Sequence, residues 1–374
     1  MKRIGNIYDY LISVENLQNA ERKARRAKGA RSGLRSFDAD RDGNFARLHD
    51  VLAKCNYRTS PYTTFIVREP KERLICRLPY YPDRIVHHAI MNVLENIWVS
   101  TFTTDSYSCI KKRGIHACAM AVKKALRDYP TETTYCLKLD IRKFYPSVNH
   151  EILKNILRKK IKDDRLLKLL DEIIDSHNSL PKECIRFANC GIPIGNYLSQ
   201  YLANLYLTYF DHWLKEEKKV RFYYRYADDI VILGDSKEKL HALLHDIRSY
   251  LWQNLKLTIK PNYQVFPVEA RGIDFVGYRF WHTHVLMRKG IKQNLCRAVA
   301  KMRKQNITEY KAQRMALCGW LGWAKYCNAN NLFNKLKQRI VNPSNIYFSL
   351  IDFKEAMKGI YSTSVQEGTL DESP

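Results

Sequence analysis

The hydrophobic pattern changes period along the chain, and its two densest β-like stretches both run into carboxylates. The first, Tyr135-Cys136-Leu137-Lys138-Leu139-Asp140-Ile141, is a strand closing on Asp140. The second runs from Val220 to Leu233, where aromatic and β-branched residues flank Tyr226-Ala227-Asp228-Asp229. Its spacing predicts two strands joined by a tight turn at the paired carboxylates. Around these the period is helical. Helices are predicted over 9–28 (Leu11, Val14, Leu17 and Ala24 on one side), Phe45–Leu52, Ile85–Val99 and 115–127. Others run from His150 to about Lys160, with Asn149 as cap, from about Asp163 to Asp175, from Tyr197 to about Lys215, and onward from Ser236. Further strands are predicted over Tyr62–Leu78 with a turn at Glu69-Pro70-Lys71-Glu72, over Leu255–Lys260 and over Tyr263–Val268. Ile273–Phe280 reads as half of another hairpin. Past Arg288 the chain turns helical and basic, and from about residue 350 it loses periodicity as a mildly acidic tail.

Composition narrows the partner. The chain has 374 residues, 45% apolar content and a net charge of +25, so a polyanion is the expected partner of a globular protein. No apolar run approaches the length of a spanning helix, and no signal-peptide core opens the sequence, so a membrane is not expected. Ten scattered cysteines without a Cys-x-x-Cys pair predict reduced thiols and a cytoplasmic location. Arg22, Lys23, Arg25 and Arg26 form a basic helical run, and Lys289, Lys292 and Arg297 a second one. Both are candidate phosphate contacts; the plainer reading of each is a solvated helix face.

Charge also sharpens the chemistry. Adjacent Asp228 and Asp229 repel each other unless cations neutralise them, and hard divalent ions such as Mg²⁺ are the natural partners. Alone, such a pair is most simply a solvated turn. Converging with Asp140 from another strand, it would make a two-metal site for displacement at phosphorus. Lys71, Arg73 and Arg77 on the earlier hairpin could clamp a triphosphate, or merely protect a sheet edge. Gly191-Ile192-Pro193-Ile194-Gly195-Asn196 is a loop whose glycines allow backbone to approach a ligand. His87-His88, on an apolar face, reads as packing rather than metal ligation.

In this order the motifs resemble those of a reverse transcriptase over roughly residues 10–340. Lys71–Arg77 resembles the fingers hairpin, and Leu139-Asp140-Ile141 with Phe144-Tyr145 the first palm motif. Gly191–Gln200 resembles the nucleotide-and-template loop, Tyr226-Ala227-Asp228-Asp229 the signature hairpin, and Phe275-Val276-Gly277-Tyr278 the primer grip. The resemblance implies an α+β right-hand polymerase: basic helices and fingers over 1–125, palm over 126–285 with the 191–215 loop and helix, helical thumb over 286–345, and a tail over 346–374. It implies two Mg²⁺ ions bridged by Asp140 and Asp228, helped by the Ile141 carbonyl and completed by Asp229. Lys71, Arg73, Ile194, Gly195, Asn196 and Gln200 would then contact template or dNTP. Tyr145 takes the place of the steric gate, and Lys260 or Lys256 that of the palm lysine. The basic helices would grip an RNA–DNA hybrid.

Within the family, Ile194-Gly195-Asn196-Tyr197-Leu198-Ser199-Gln200 is similar to the enzymes of diversity-generating retroelements, where most members carry Gln before this glycine and Ser-Pro later. That similarity implies copying of a template-repeat RNA with errors opposite adenine, aided by a basic oligomeric accessory variability protein. Group II intron-type, retron and phage-defence reverse transcriptases share most of the motifs. A non-catalytic RNA-binding scaffold of the same fold is the rival of another class.

Overall fold

Side-chain caps fix where several helices begin, and buried strands fix the sheet between them. The computed structural model describes residues 3–26, 32–68, 72–179, 189–305 and 310–340. Helices α1 (Tyr8–Ile12), α2 (Val14–Arg25), α3 (Ser32–Asp38) and α4 (Arg41–Ala53) precede a hairpin of β1 (Thr63–Val67) and β2 (Arg73–Arg77). A π-helical turn, Tyr80–Arg84, leads into α5 (Ile85–Val99) and then α6 (Ile115–Asp128). Strand β3 (Tyr135–Asp140) and a 3-10 turn at Tyr145–Ser147 are followed by α7 (His150–Arg158), α8 (Asp164–Asp175) and α9 (Tyr197–His212). After the π-helical turn Trp213–Glu217 come β4 (Phe222–Tyr226), β5 (Asp229–Gly234), α10 (Lys237–Leu255), β6 (Gln264–Pro267) and α11 (Val268–Arg271). Strands β7 (Ile273–Phe275), β8 (Tyr278–Phe280) and β9 (Val285–Met287) then precede α12 (Lys289–Lys304), α13 (Tyr310–Ala324) and α14 (Asn330–Ile340).

The chain divides into two compact units, Met1–Cys118 with Thr131–Pro267, and Ala119–Pro130 with Val268–Pro374. In the first, an antiparallel sheet has the order β4-β5-β3-β6. β3 and β5 are buried at Cys136, Leu137 and Leu139 and from Ile230 to Leu233, so the sheet is covered on both faces. Helices α5, α7, α8, α9 and α10 supply most of the apolar side chains packed with it. Their starts are chemically specified: Asn149, Asp163 and Ser236 each accept a backbone N–H from the first turn of α7, α8 and α10. In the second unit the three-stranded sheet β7-β8-β9 accompanies a core of Leu295, Val299, Leu317, Leu321 and Phe333 from α12, α13 and α14. Antiparallel sheets packed with helices in each unit make this an α+β fold.

Four expectations need correction. The helix over 9–28 breaks at Ser13, whose ψ of 143° is extended and whose hydroxyl caps α2 by accepting the Asn16 N–H. Val14 is exposed, because the break rotates it off the apolar stripe. Leu255–Lys260 forms no strand: Leu255 ends α10, Lys256 caps it in the left-handed region, and Ile259 makes only an isolated bridge to Ile141. Ile273–Phe280 is a whole hairpin, extended by β9. Cys190 is disulfide-bonded, against the expectation of reduced thiols throughout. Among the described residues, no helix is long and apolar enough to cross a membrane. Lys71 and the tail from 346 lie outside the described residues.

Candidate active site

Register brings the acidic residues together. β4 and β5 pair so that Tyr226 faces Asp229, which leaves Ala227-Asp228 as a two-residue turn. β5 also pairs with β3, with Asp140 directly opposite Asp229. The Ile141 amide then donates to the Asp228 carbonyl (3.2 Å), which ties the turn to the end of β3. Ala227 holds a positive φ of 56°, costing an alanine about 1–2 kcal/mol, at the turn position where glycine is usual.

The cluster is short of positive charge. Burial, then the charges of Asp140 and Asp229, pushes the Asp228 carboxyl up to about 6. Asp140 Oδ2 accepts from Lys260 Nζ (2.5 Å), while Asp140 Oδ1 is buried with no hydrogen-bond partner. The orphaned oxygen suits a hard divalent cation, although among the described residues no three His, Cys, Asp or Glu side chains are gathered closely enough to hold one. Lys260 is placed by its backbone as well, its amide donating to the Asp140 carbonyl (2.9 Å). Lys256, by contrast, caps α10 and bonds the Gln253 carbonyl (3.3 Å).

Loops bring three more predicted groups to one side. The Tyr145 carbonyl accepts the Ile192 amide (3.0 Å), and the Val148 carbonyl accepts the Gly191 amide (2.8 Å). Buried His150 bonds the Gly191 carbonyl through Nε2 (2.8 Å). The Cys76 amide in β2 donates to the Ile194 carbonyl (2.8 Å). Gly195 is required at this approach: φ is +117°, and a Cβ there would lie 2.7 Å from Ile75 and 2.9 Å from the Cys76 carbonyl oxygen. The half-buried Tyr145 hydroxyl has its pKa raised, chiefly by burial and also by Cys109 and Asp228, while Arg73 opposes the shift. Tyr145 therefore lies within the fields of both Arg73 and Asp228. Asn196 is buried with its Nδ2 unpartnered, and Gln200 is exposed.

The basic helices are less uniform than their sequence suggests. Arg25 is not free for phosphate: buried Glu21 needs a cation, and Arg25 serves it (2.6 Å) while also pairing with Asp38 (2.5 Å). Lys23 bonds Asn92 (2.6 Å) and Arg22 bonds Asn19 (3.3 Å); Arg26 is exposed at the end of α2. Lys289, Lys292 and Arg297 are exposed on α12. His87 is buried, with its pKa pushed down to about 4 by desolvation, and His88 stacks on Tyr197 (4.6 Å).

Sequence reasoning missed Arg225 and Asp211, a fully buried ion pair beneath the turn. A signal was present: Arg225 is the one charge inside the aromatic run Phe222–Tyr226. A charge in a strand buried on both faces must have a partner.

Fold and site together define a polymerase built around a carboxylate-bearing palm. Residues 68–280 match the model of the reverse transcriptase (RNA-dependent DNA polymerase) family, more than half of the chain, and the chain belongs to that family. The domain is that of an RNA-directed DNA polymerase; such domains generally use divalent metals, usually Mg²⁺, and bind RNA templates. Protein YkfC of Escherichia coli is 27% identical over 304 residues, covering 72% of this chain and 78% of YkfC. The group II intron-encoded protein LtrA of Lactococcus lactis is 22% identical over 217 residues, covering 57% of this chain and 35% of LtrA. Apo telomerase from Candida tropicalis aligns with a TM-score of 0.46 at 12% identity, over 76% of this chain and 62% of that chain.

Proposed function

We propose that this chain makes error-prone cDNA from a template-repeat RNA, for diversification of a target gene, at the carboxylate cluster of Asp140, Asp228 and Asp229. Supporting the chemistry is one observation, the orphaned buried oxygen of Asp140 beside the raised Asp228 carboxyl. Asp140 and Asp228 would hold two Mg²⁺ ions, with the Ile141 carbonyl and Asp229 assisting. When bound, the metals supply a more acidic primer 3′-hydroxyl and charge neutralisation of the departing pyrophosphate. Arg73, and Lys71 two positions before it in the sequence, bind the triphosphate. Tyr145 excludes a ribose 2′-hydroxyl by its ring. Lys260 delivers a proton to pyrophosphate. Arg22, Lys23, Arg26, Lys289, Lys292 and Arg297 track the phosphates of the RNA–DNA hybrid. The work is cytoplasmic and done with a basic accessory protein.

Supporting low fidelity is the loop itself. Ile194 offers an aliphatic side chain where most members of the family have an amide, and such a contact discriminates by only about 1–3 kcal/mol. A second reading, a group II intron-type enzyme, is favoured by the likeness to LtrA. Sequencing of cDNA made on a defined RNA template separates them. Errors concentrated opposite adenine support diversification, and uniformly rare errors leave an intron-type polymerase.

A further inference from the structure

We infer that Arg225 is a positioning residue for the polymerase reaction, which sets the peptide bearing Asp228 through the Ala227 carbonyl. The inference rests on the polymerase reading of this site. Arg225 is fully buried in β4, and every one of its five N–H donors has an acceptor. Nε and Nη2 form a fork to Asp211 (2.8 and 2.5 Å), and Nη2 also reaches Ser106 Oγ (2.5 Å). Nη1 divides between Asn204 Oδ1 and the Ala227 carbonyl, both at 3.1 Å. Asp211, on α9, accepts a further bond from Tyr223 (2.6 Å). The Arg225 main chain is pinned too, its amide bonded to the Asp105 carbonyl (2.9 Å) and its own carbonyl to the Tyr107 amide (3.0 Å).

Stability alone gives no reason for this arrangement, since a buried ion pair is often replaceable by apolar residues without loss. What the guanidinium does that an apolar side chain cannot is bond the carbonyl of a strained residue. Ala227 is held at φ +56°, and its peptide leads directly into Asp228. Released from Nη1, that peptide loses its side-chain anchor, and only the Ile141 amide on the Asp228 carbonyl and the flanking strand pairing remain to hold the turn. The Arg225 guanidinium bonds Asp211, Ser106, Asn204 and the Ala227 carbonyl, so its hydrogen-bonded link to Asp228 is the turn.

Two variants test this. Arg225→Lys keeps the charge opposite Asp211 and loses the fork. Arg225→Met with Asp211→Leu and Tyr223→Phe removes the network in favour of apolar packing. Each is assayed by pre-steady-state primer extension on RNA with Mg²⁺ and primed template in excess, active sites being counted from the burst amplitude and the rate per site read from the burst phase. Expected in both is a rate constant per active site lowered about 10- to 100-fold. The Mg²⁺ concentration for half-maximal rate rises and KM for dNTP stays near wild type. The triple variant melts at or above the wild-type temperature. A merely structural role lowers melting and burst amplitude and leaves the rate per site unchanged; that result in either variant overturns the inference. If wild type and Asp228→Ala are equally inactive, the polymerase reading itself has failed and the inference falls with it.

Discussion

Two hairpins of five paired positions each serve this molecule in opposite ways. β4–β5, which carries Asp228 and Asp229, is buried from Phe222 to Arg225 and from Ile230 to Leu233. β1–β2, which carries Arg73 and Arg77, has every residue of β1 exposed, including Phe65 (48%), Ile66 (54%) and Val67 (38%). A two-stranded hairpin is marginal by itself. The first is stabilised by a sheet on one edge and helices over both faces. The second depends on a few tethers at its base: the Cys76 amide on the Ile194 carbonyl, and buried Asp83 accepting from Tyr57 (2.7 Å) and the Ser60 amide (3.0 Å). Carboxylates that share cations need fixed spacing, and burial supplies it. On the proposed reading Arg73 meets a triphosphate, which needs reach and solvent, and an exposed hairpin supplies those.

The contrast can be broken at four points, taken from the largest effect down. Asp140→Ala should lower the rate of nucleotide incorporation by about 1,000-fold or more, several kcal/mol of transition-state stabilisation, with primer–template affinity retained in a filter-binding assay. Loss of affinity in parallel with rate would assign Asp140 a structural role instead. Ile232→Ala in β5 should cost about 2–5 kcal/mol in urea unfolding, whereas Ile66→Ala in β1 should stay within about 0.5 kcal/mol. Equal costs would mean that the first hairpin is as fixed as the second. Arg73→Ala should lower kcat/KM for dNTP about 10- to 100-fold with little change in melting, the worth of one charged hydrogen bond. An unchanged kcat/KM removes Arg73 from the triphosphate.

The smallest effect is a pH dependence. Asp228 is raised from 3.8 to about 6 in the folded protein, so it binds its proton more tightly there than in the unfolded chain. Its contribution to stability is therefore fully present below its ordinary pKa and is lost as pH rises through about 6. In EDTA, Asp228→Asn should melt increasingly above wild type as pH rises from about 4 to about 7, and the difference should then level off. A difference that does not change with pH contradicts the charged cluster.

What was legible in the sequence follows the same division. The turn at Ala227-Asp228, the strand ending on Asp140, the cap Asn149 and the helix start at Ser236 were all visible, because each is written in a few adjacent residues. Strand pairing between Asp140 and Asp229, 89 positions apart, was inferable only from the ordered motif set. Features that depend on a distant partner were not legible. Arg25 reads as one cation in a basic run until Glu21 is found buried beneath it. Arg225, the one charge in an aromatic run, signals the need for a partner but not that Asp211 and the Ala227 carbonyl supply it inside the fold. The Leu255–Lys260 run has strand composition, but β3 ends at Asp140, so the ladder offers Ile259 a single bridge at Ile141.

The most direct test of the central claim, that the β4–β5 turn and the end of β3 together perform RNA-directed DNA synthesis, is primer extension on an RNA template. Wild type and Asp228→Ala would be run side by side across a Mg²⁺ series. The account predicts Mg²⁺-dependent extension by the wild type and none by the variant, with both proteins folded and bound to the primed template. Extension by Asp228→Ala at the wild-type rate would contradict it.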